Sequence, residues 1–380
     1  MRITETAIPG LLIIDLDVHG DNRGWFKENW QREKFTGLAP ELASFQPVQN
    51  NISFNHAGVT RGLHAEPWDK LVSVAQGKIF GAWCDLREGS DSCGEVVTHE
   101  VGPETAVFVP RGVANGFQAL EETSYCYLVN EHWSAEARYS AVNLNIVDWP
   151  LAPTEISEKD KQHPALKDVS PMPARRILVT GANGQLGRAL KRLLADAEFC
   201  THAEFDITNP PARNWKQYSA IINCAAYNDV NGAESDRAAA WAVNAEGPAK
   251  LARIAAENQI TLVHVSSDYI FDGANEVHTE EELPSPLSAY GASKAAGDTA
   301  AQTAPQHYVI RTSWVFGDGE NFMSTMRRLA TQGVEPKVIH DQRGRPTFAE
   351  DIAKGIVHLL NSGAEYGVYN LSNSGDTVGR

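Results

Sequence analysis

Residues 175–190 read RRILVTGANGQLGRAL. Ile177, Leu178 and Val179 form a short apolar run of the kind that a buried parallel strand shows. Glycines follow at positions 181, 184 and 187, and a helical pattern then opens with Leu186, Leu190 and Leu193 on one face. Glycines at such a turn let backbone N–H groups approach a pyrophosphate, and the helix start faces it with partial positive charge. Strand before and helix after predict a dinucleotide site; a tight turn without a ligand is the weaker alternative, because further strand–helix units follow. A nucleotide-binding fold usually opens near its own N-terminus, so the 174 residues ahead of this stretch should form a separate domain.

Beyond the glycine turn, strand-like runs at 220–224, 261–265 and 309–312 alternate with helical patterns, including a long Ala-rich one over 237–258. That alternation implies an α/β doubly wound parallel sheet, a Rossmann architecture, with ligands at the carboxyl ends of the strands. NCAAY (223–227), SSDYIF (266–271) and RTSWVF (311–316) fall at those ends. Tyr290 and Lys294 lie four apart in a helical YGASK stretch, so both project from one face. An ammonium ~5 Å away at an effective dielectric of ~20 is worth about 3 kcal/mol, or about two pKa units, to a phenolate. That would make Tyr290 a usable acid for a ketone receiving hydride, with Ser267 hydrogen-bonding the same carbonyl. The bland reading of the pair is a surface helix contact, and the glycine turn upstream weighs against it.

The first 150 or so residues differ in kind. Runs at 11–18, 70–75, 79–85, 106–109 and 124–129 are short and apolar or alternating, and the pair around Gln76-Gly77 reads as a hairpin. Many short strands imply an all-β sandwich or barrel. Within it, GDNRGWFKENW (20–30) sets Arg23 and Glu28 among aromatic residues, QNN follows at 49–51, and TRGLHAEPWDK (60–70) gathers Arg61, His64 and Lys70. Arg, His and Lys at the entry to a strand can bind an oxyanion and move a proton. Metal-binding sites of β-barrel folds often carry H-x-H, whereas Ala65 and Glu66 follow His64, so no metal is expected. Residues 150–174 are rich in proline and charge. We read 1–160 as one domain, 161–175 as a linker and 176–380 as the nucleotide-binding domain.

The net charge of −15 argues against nucleic acid or an anionic membrane as main partner. The five cysteines are odd in number and without C-x-x-C, which suits reduced thiols in a cytoplasm. Asp15 and Asp17 interrupt the early apolar run, so it lacks a signal peptide's shape, and no run approaches a membrane span. A soluble, cytoplasmic protein is expected.

The first half resembles the dTDP-4-dehydrorhamnose 3,5-epimerase family, a jelly-roll cupin fold, through GDNRGWFKE, RGLHAEPWDKLVSV, VFVPRGVANGF, CYLVNEHW and SEKD. The resemblance implies His64 as base held by Asp160, and Tyr127 as the opposing acid. It implies Arg61 and Lys70 at an enolate oxygen, and Arg23, Glu28, Gln49 and Asn51 on the nucleotide, with Trp133 stacking on its base. The second half is similar to extended short-chain dehydrogenase/reductases (SDR), closest to dTDP-4-dehydrorhamnose reductases, through GANGQLG, FDIT, NCAAYNDV, VSSDYIFDG, YGASK, RTSWVFGDGENF and DQRGRPT (341–347). This implies NADPH or NADH held by Gly181, Asn183, Gly184, Gln185, Leu186 and Gly187, with Tyr290 and Lys294 at the reactive end. Asp206 and Ile207 would lie beside the adenine, Ala225, Ala226 and Tyr227 along the cofactor, and Tyr269 and Trp314 near the sugar.

Together the resemblances imply a bifunctional enzyme of dTDP-rhamnose biosynthesis acting on a dTDP-sugar, and a homodimer through the cupin domain. Two departures stand out. Asn115 replaces a frequent His, and the 143–149 segment is shortened before Asp160. Relatives also continue past NLSNSGDT, so the end at Arg380 leads us to expect a truncated product or an impaired reductase half. The alternative class is an NAD(P)-binding regulatory or epimerase-only protein.

Overall fold

The first 174 residues fold as a sandwich of two antiparallel sheets. Six strands form one sheet in the order Arg2–Glu5, Leu12–Asp15, Thr105–Val109, Lys70–Gln76, Thr123–Val129, Gln49–Asn55. The facing sheet runs Ser140–Ala141, Thr60–Ala65, Val113–Ala119, Ile79–Asp85, Val96–Val101. The computed structural model describes residues 1–43, 45–135, 137–319, 321–335 and 342–379, and divides the chain into two units, Met1–Ala174 and Arg175–Arg380. Glu320 of RTSWVFGDGENF and Asp341 of DQRGRPT lie outside the described residues.

Alternation along the strands explains the first unit's core. Val72, Val74, Val107, Trp83 and Phe117 point between the sheets and pack together. Leu71 and Phe108 face the other way, under Phe35, Leu42 and Phe45. That second layer is why Lys70–Gln76 and Thr105–Val109 read as continuous apolar runs.

Three expectations need correction. Lys70–Gln76 and Ile79–Asp85 do not pair as a hairpin; the chain crosses from one sheet to the other at Gly77. Gly77 adopts φ +85°, and a Cβ there would sit 2.3 Å from the Glu122 carbonyl oxygen, so a tight glycine crossing replaces the hairpin turn. The run over 11–18 splits, with Leu12–Asp15 in the large sheet and Val18–Asp21 in a separate hairpin with Gly24–Lys27. Residues 161–174 are not a free linker. Leu166 and Val169 pack on the small sheet's core, and Met172 is fully buried. The Met172 N–H donates to the Leu86 carbonyl (2.7 Å), and its own carbonyl accepts from Glu88 (2.9 Å).

The second unit is a six-stranded parallel sheet in the order Glu198–Cys200, Arg176–Thr180, Tyr218–Asn223, Thr261–Val265, His307–Arg311, Gly367–Asn370. Apolar clusters cover both faces, around Leu178, Ile221 and Leu262 on one and Val179, Ile222 and Val263 on the other. The strand order turns back between Arg176–Thr180 and its two neighbours, which opens a crevice at their carboxyl ends. Helix Gln185–Leu193 buries Leu186 and Leu190, but Leu193 ends it and is exposed. The helix expected over 237–258 is interrupted: Arg237–Trp241 and Gly247–Asn258 flank a π turn at Ala242–Glu246. Pro248 lacks the N–H that would close a regular turn onto Asn244, whose side chain instead bonds both backbone groups of Tyr227.

No helix among the described residues is long and apolar enough to cross a membrane. If residues 161–174 are part of the first unit's core, Met172→Ala should destabilise that unit by about 2–5 kcal/mol. Urea unfolding checks this, and an unchanged midpoint would restore the linker reading.

Candidate functional site

In the first unit a cavity of about 600 Å³ opens between the sheets. Arg61 and His64 enter it from one sheet, and Asn51, Lys70 and Tyr127 from the other, with Asp160 at its wall. Ser157 caps the short helix Glu158–Lys161, its hydroxyl accepting the Asp160 N–H at 3.1 Å, and this turn aims the Asp160 carboxylate inward. Asp160 Oδ1 lies 2.9 Å from His64 Nε2, and Oδ2 accepts the Gly62 N–H at 3.2 Å. Gly62 sits at φ +113°, and a Cβ there would come within 2.5 Å of Gly116 Cα, so only glycine fits this approach. Burial works to raise the Asp160 pKa, but the His64 ring, the Gly62 N–H and Ser157 outweigh it and hold the carboxyl below its usual value. The shortened 143–149 segment still closes onto this tail, the Asn143 N–H donating to the Pro164 carbonyl (2.8 Å).

The remaining groups are more constrained than the sequence suggested. Lys70 is buried and paired with Glu66 at 2.5 Å, its ammonium 4.7 Å from the centroid of the Tyr127 ring. Burial, then Glu66, push the Tyr127 phenol up, so it stays protonated at neutral pH. Arg61 Nε donates to Asn55 Oδ1 (2.7 Å). Asn115 is locked in place, accepting from Trp83 Nε1 (2.9 Å) and donating to Tyr125 Oη (3.1 Å).

Four expected substrate contacts do not line this cavity: Arg23, Glu28, Gln49 and Trp133. Arg23 pairs with Asp21 on an exposed hairpin, Glu28 with Lys34, and Gln49 donates to Asn51. Trp133 is exposed. Conversely, Glu66 and His163 were missed as site neighbours. Glu66 was legible four residues before Lys70; His163, far along the chain, carried no local signal.

In the second unit a cavity of about 440 Å³ lies at the carboxyl ends of the strands. Gly184, Gln185, Leu186 and Gly187 line one end, where Gly184 caps the helix. Gly181 holds φ +69°, and a Cβ on it would meet the Ala225 N at 2.7 Å, so a side chain would force two ligand-facing loops apart. Ser267, Tyr269, Tyr290, Lys294 and Trp314 line the other end, together with Ala226. Gly181, Asn183, Ala225 and Tyr227 lie outside the lining. So do Asp206 and Ile207: the Asp206 carboxylate is occupied by Thr208 (2.8 Å to both N and Oγ1), and Ile207 is buried in the core.

The expected electrostatics of Tyr290 also need correction. Lys294 Nζ donates to the Val265 carbonyl (2.7 Å). Burial pushes Tyr290 up to about 12, with Ser267 working the other way, and pulls Lys294 down to about 8. The phenol is therefore raised, because desolvation of a nine-tenths buried ring exceeds any help from an ammonium turned towards a backbone carbonyl.

The family model described as dTDP-4-dehydrorhamnose 3,5-epimerase matches residues 5–168, and that of the RmlD substrate binding domain matches 175–378. The chain belongs to both families. Its first part is 52% identical to an RmlC homolog of Streptococcus pyogenes, over 43% of this chain and 89% of that one. Its second part is 40% identical to the dTDP-4-dehydrorhamnose reductase of Mycobacterium tuberculosis, over 53% of this chain and 71% of that one. A crystal structure of the dTDP-4-dehydrorhamnose reductase from Clostridium acetobutylicum superposes with a TM-score of 0.51 at 37% identity, over 54% of this chain and 76% of that one. The protein thus joins a cupin epimerase domain and a Rossmann reductase domain of the dTDP-rhamnose pathway.

The Asp160 environment sets a pH dependence. Because its folded pKa is depressed, its contribution to stability is present above the unfolded value of ~3.9 and is lost as pH falls through the folded one. Acid unfolding of the epimerase domain should therefore steepen below about pH 4, and Asp160→Asn should remove that part of the slope in a pH series of urea midpoints.

Proposed function

We propose that the epimerase domain inverts C3 and C5 of dTDP-4-dehydro-6-deoxy-D-glucose, and that the reductase domain then reduces the C4 ketone with NADPH or NADH to give dTDP-L-rhamnose. The contact of His64 with Asp160, opposite Tyr127 in one cavity, is the observation that carries this reading. An ionised carboxylate only accepts, so the His64 proton sits on Nε2 and Nδ1 keeps its lone pair. Nδ1 is then the base that takes the proton from the carbon beside the ketone. Arg61 and Lys70 stabilise the enolate oxygen, and the protonated Tyr127 returns a proton on the opposite face.

In the reductase domain the glycine turn fits a dinucleotide: Gly181 has no room for a Cβ, and the start of helix Gln185–Leu193 faces the cavity. The glycine-turn backbone would hold the pyrophosphate, and Tyr290 and Lys294 would flank the nicotinamide ribose. When bound, NAD(P)H supplies the hydride. Ser267 hydrogen-bonds the ketone oxygen, and Tyr290 gives it a proton. A phenol raised by burial suits this donor role, since an alkoxide is far more basic than a phenolate.

The homodimer is part of the same proposal. Ile52 and Phe54 are 69% and 56% exposed on the strand Gln49–Asn55, which pairs on one side alone among the described residues. Phe26 is 64% exposed on the hairpin that carries Arg23. An apolar outer face of this kind suits a second copy, and would let Arg23 and Glu28 serve a neighbouring cavity.

Tyr290→Phe should lower NADPH oxidation by about 10²–10⁴-fold while sparing deuterium uptake from solvent at C3 and C5. His64→Ala should abolish that uptake yet leave reduction of pre-epimerised substrate intact. Loss of both activities in either variant would refute separate sites. For the assembly, Phe54→Asp should shift sedimentation from dimer to monomer and raise KM for the dTDP-sugar; a monomeric parent chain would end the dimer reading.

A further inference from the structure

One imidazole beside the epimerase cavity has no part in the reaction above. The His163 ring stands edge-on to His64, with centroids 5.0 Å apart and planes at 81°. Its side chain is 7% exposed; neither ring nitrogen makes a well-aligned hydrogen bond, and the Gly62 backbone is its nearest hydrogen-bonding group. Its Nε2 lies 3.8 Å from Asp160 Oδ1, the oxygen that already holds His64 Nε2 at 2.9 Å. The Gly62 backbone and Lys159 are its other polar neighbours. Donor atoms of His64, Asp160 and His163 all lie within 4.8 Å of one another.

We propose that His64, Asp160 and His163 form a binding site for a zinc-class divalent cation that switches the epimerase domain off. Two imidazoles and one carboxylate are the donor set of borderline metals, whereas magnesium prefers oxygen ligands. Metal–ligand bonds of about 2.0–2.2 Å place tetrahedral ligand atoms roughly 3.3 Å apart. The 2.9 and 3.8 Å separations from Asp160 Oδ1 bracket that value, and the two imidazoles, whose donor atoms lie within 4.8 Å of each other, close in by a change of side-chain angle when the ion binds. His64 is 38% exposed towards the cavity, which leaves the fourth position open to water or substrate. Arg61 and Lys70 share the cavity and oppose a cation, but Glu66 neutralises Lys70.

The switch follows from the tautomer. A cation on Nε2 takes the lone pair there, so the Nε2 proton moves through solvent to Nδ1 and the ring stays neutral. Nδ1 then has no lone pair with which to accept a substrate proton. Asp160 exchanges an N–H for the ion, His163 offers a lone pair, and no electron is transferred. The switch rests on the epimerase reading; the metal site does not.

The test uses the full, metal-stripped chain. Cobalt(II) titration should give visible d–d bands saturating at one equivalent and erased by zinc, and zinc should stop deuterium uptake at C3 and C5, while magnesium does neither. His163→Phe keeps the ring's volume; it should retain metal-free exchange and bind cobalt at least tenfold more weakly. His163→Asn gives the same comparison if the phenylalanine variant fails to fold. Equal cobalt binding by the variants and the parent would overturn the site. His163-dependent binding without inhibition would overturn the switch. Cobalt binding that depends on His163 in a chain showing no exchange even without metal would support the site and refute the epimerase reading.

Discussion

A carboxylate withdrawn from water must be surrounded by donors, and Asp160 obeys that rule at the cost of constraining the whole first unit. Its two oxygens face His64 Nε2 and the Gly62 N–H, one a side chain and the other backbone on the same strand Thr60–Ala65. Leaving either unmet would cost several kcal/mol for a buried charge. The chain after the sandwich must therefore return to this strand, and residues 158–169 do so through a capped turn and buried contacts, while Met172 pairs elsewhere, with Leu86 and Glu88. The same contact decides which nitrogen of His64 carries the proton. In the proposed mechanism, fold closure and base chemistry are one constraint.

The second unit meets a comparable problem by a different route. Lys294, Asp298 and Arg311 are all buried, and Arg311 Nε donates to Asp298 Oδ2 at 3.1 Å. Burial raises the Asp298 carboxyl and lowers Lys294 to about 8, and the Asp268 and Asp298 carboxylates act with burial to raise the Tyr290 phenol. The phenol then remains protonated, which matches the proton delivery to an alkoxide proposed for it. Its glycines have a simpler duty. They remove volume where two strand ends and a helix start converge, so that backbone rather than side chain is presented at that turn.

Much of this was legible in residue order. RRILVTGANGQLGRAL placed a strand, a turn and a helix correctly, because apolar periodicity and glycine spacing are local properties. TRGLHAEPWDK announced a cluster of proton-handling groups for the same reason. What escaped were relations between distant segments. The crossing at Gly77 looked like a hairpin, since two strands joined by a glycine turn read alike whether they pair or part between sheets. The break at Ala242–Glu246 was hidden because an Ala-rich pattern does not reveal what Asn244 bonds. Residues 161–174 looked like a tether, because proline and charge mark loops without saying whether the loop is pinned.

Sequence alone therefore determined two architectures and the residue types of the two sites proposed to transfer protons, because hydrophobic period, glycine spacing and motif order act over a few residues. Tertiary structure alone decided which charges were available. It paired Lys70 with Glu66 and turned Lys294 towards Val265. It also set His163 beside a histidine 99 positions earlier in the chain. Such pairings depend on desolvation and on distances across packed layers, and neither quantity exists until the chain has folded.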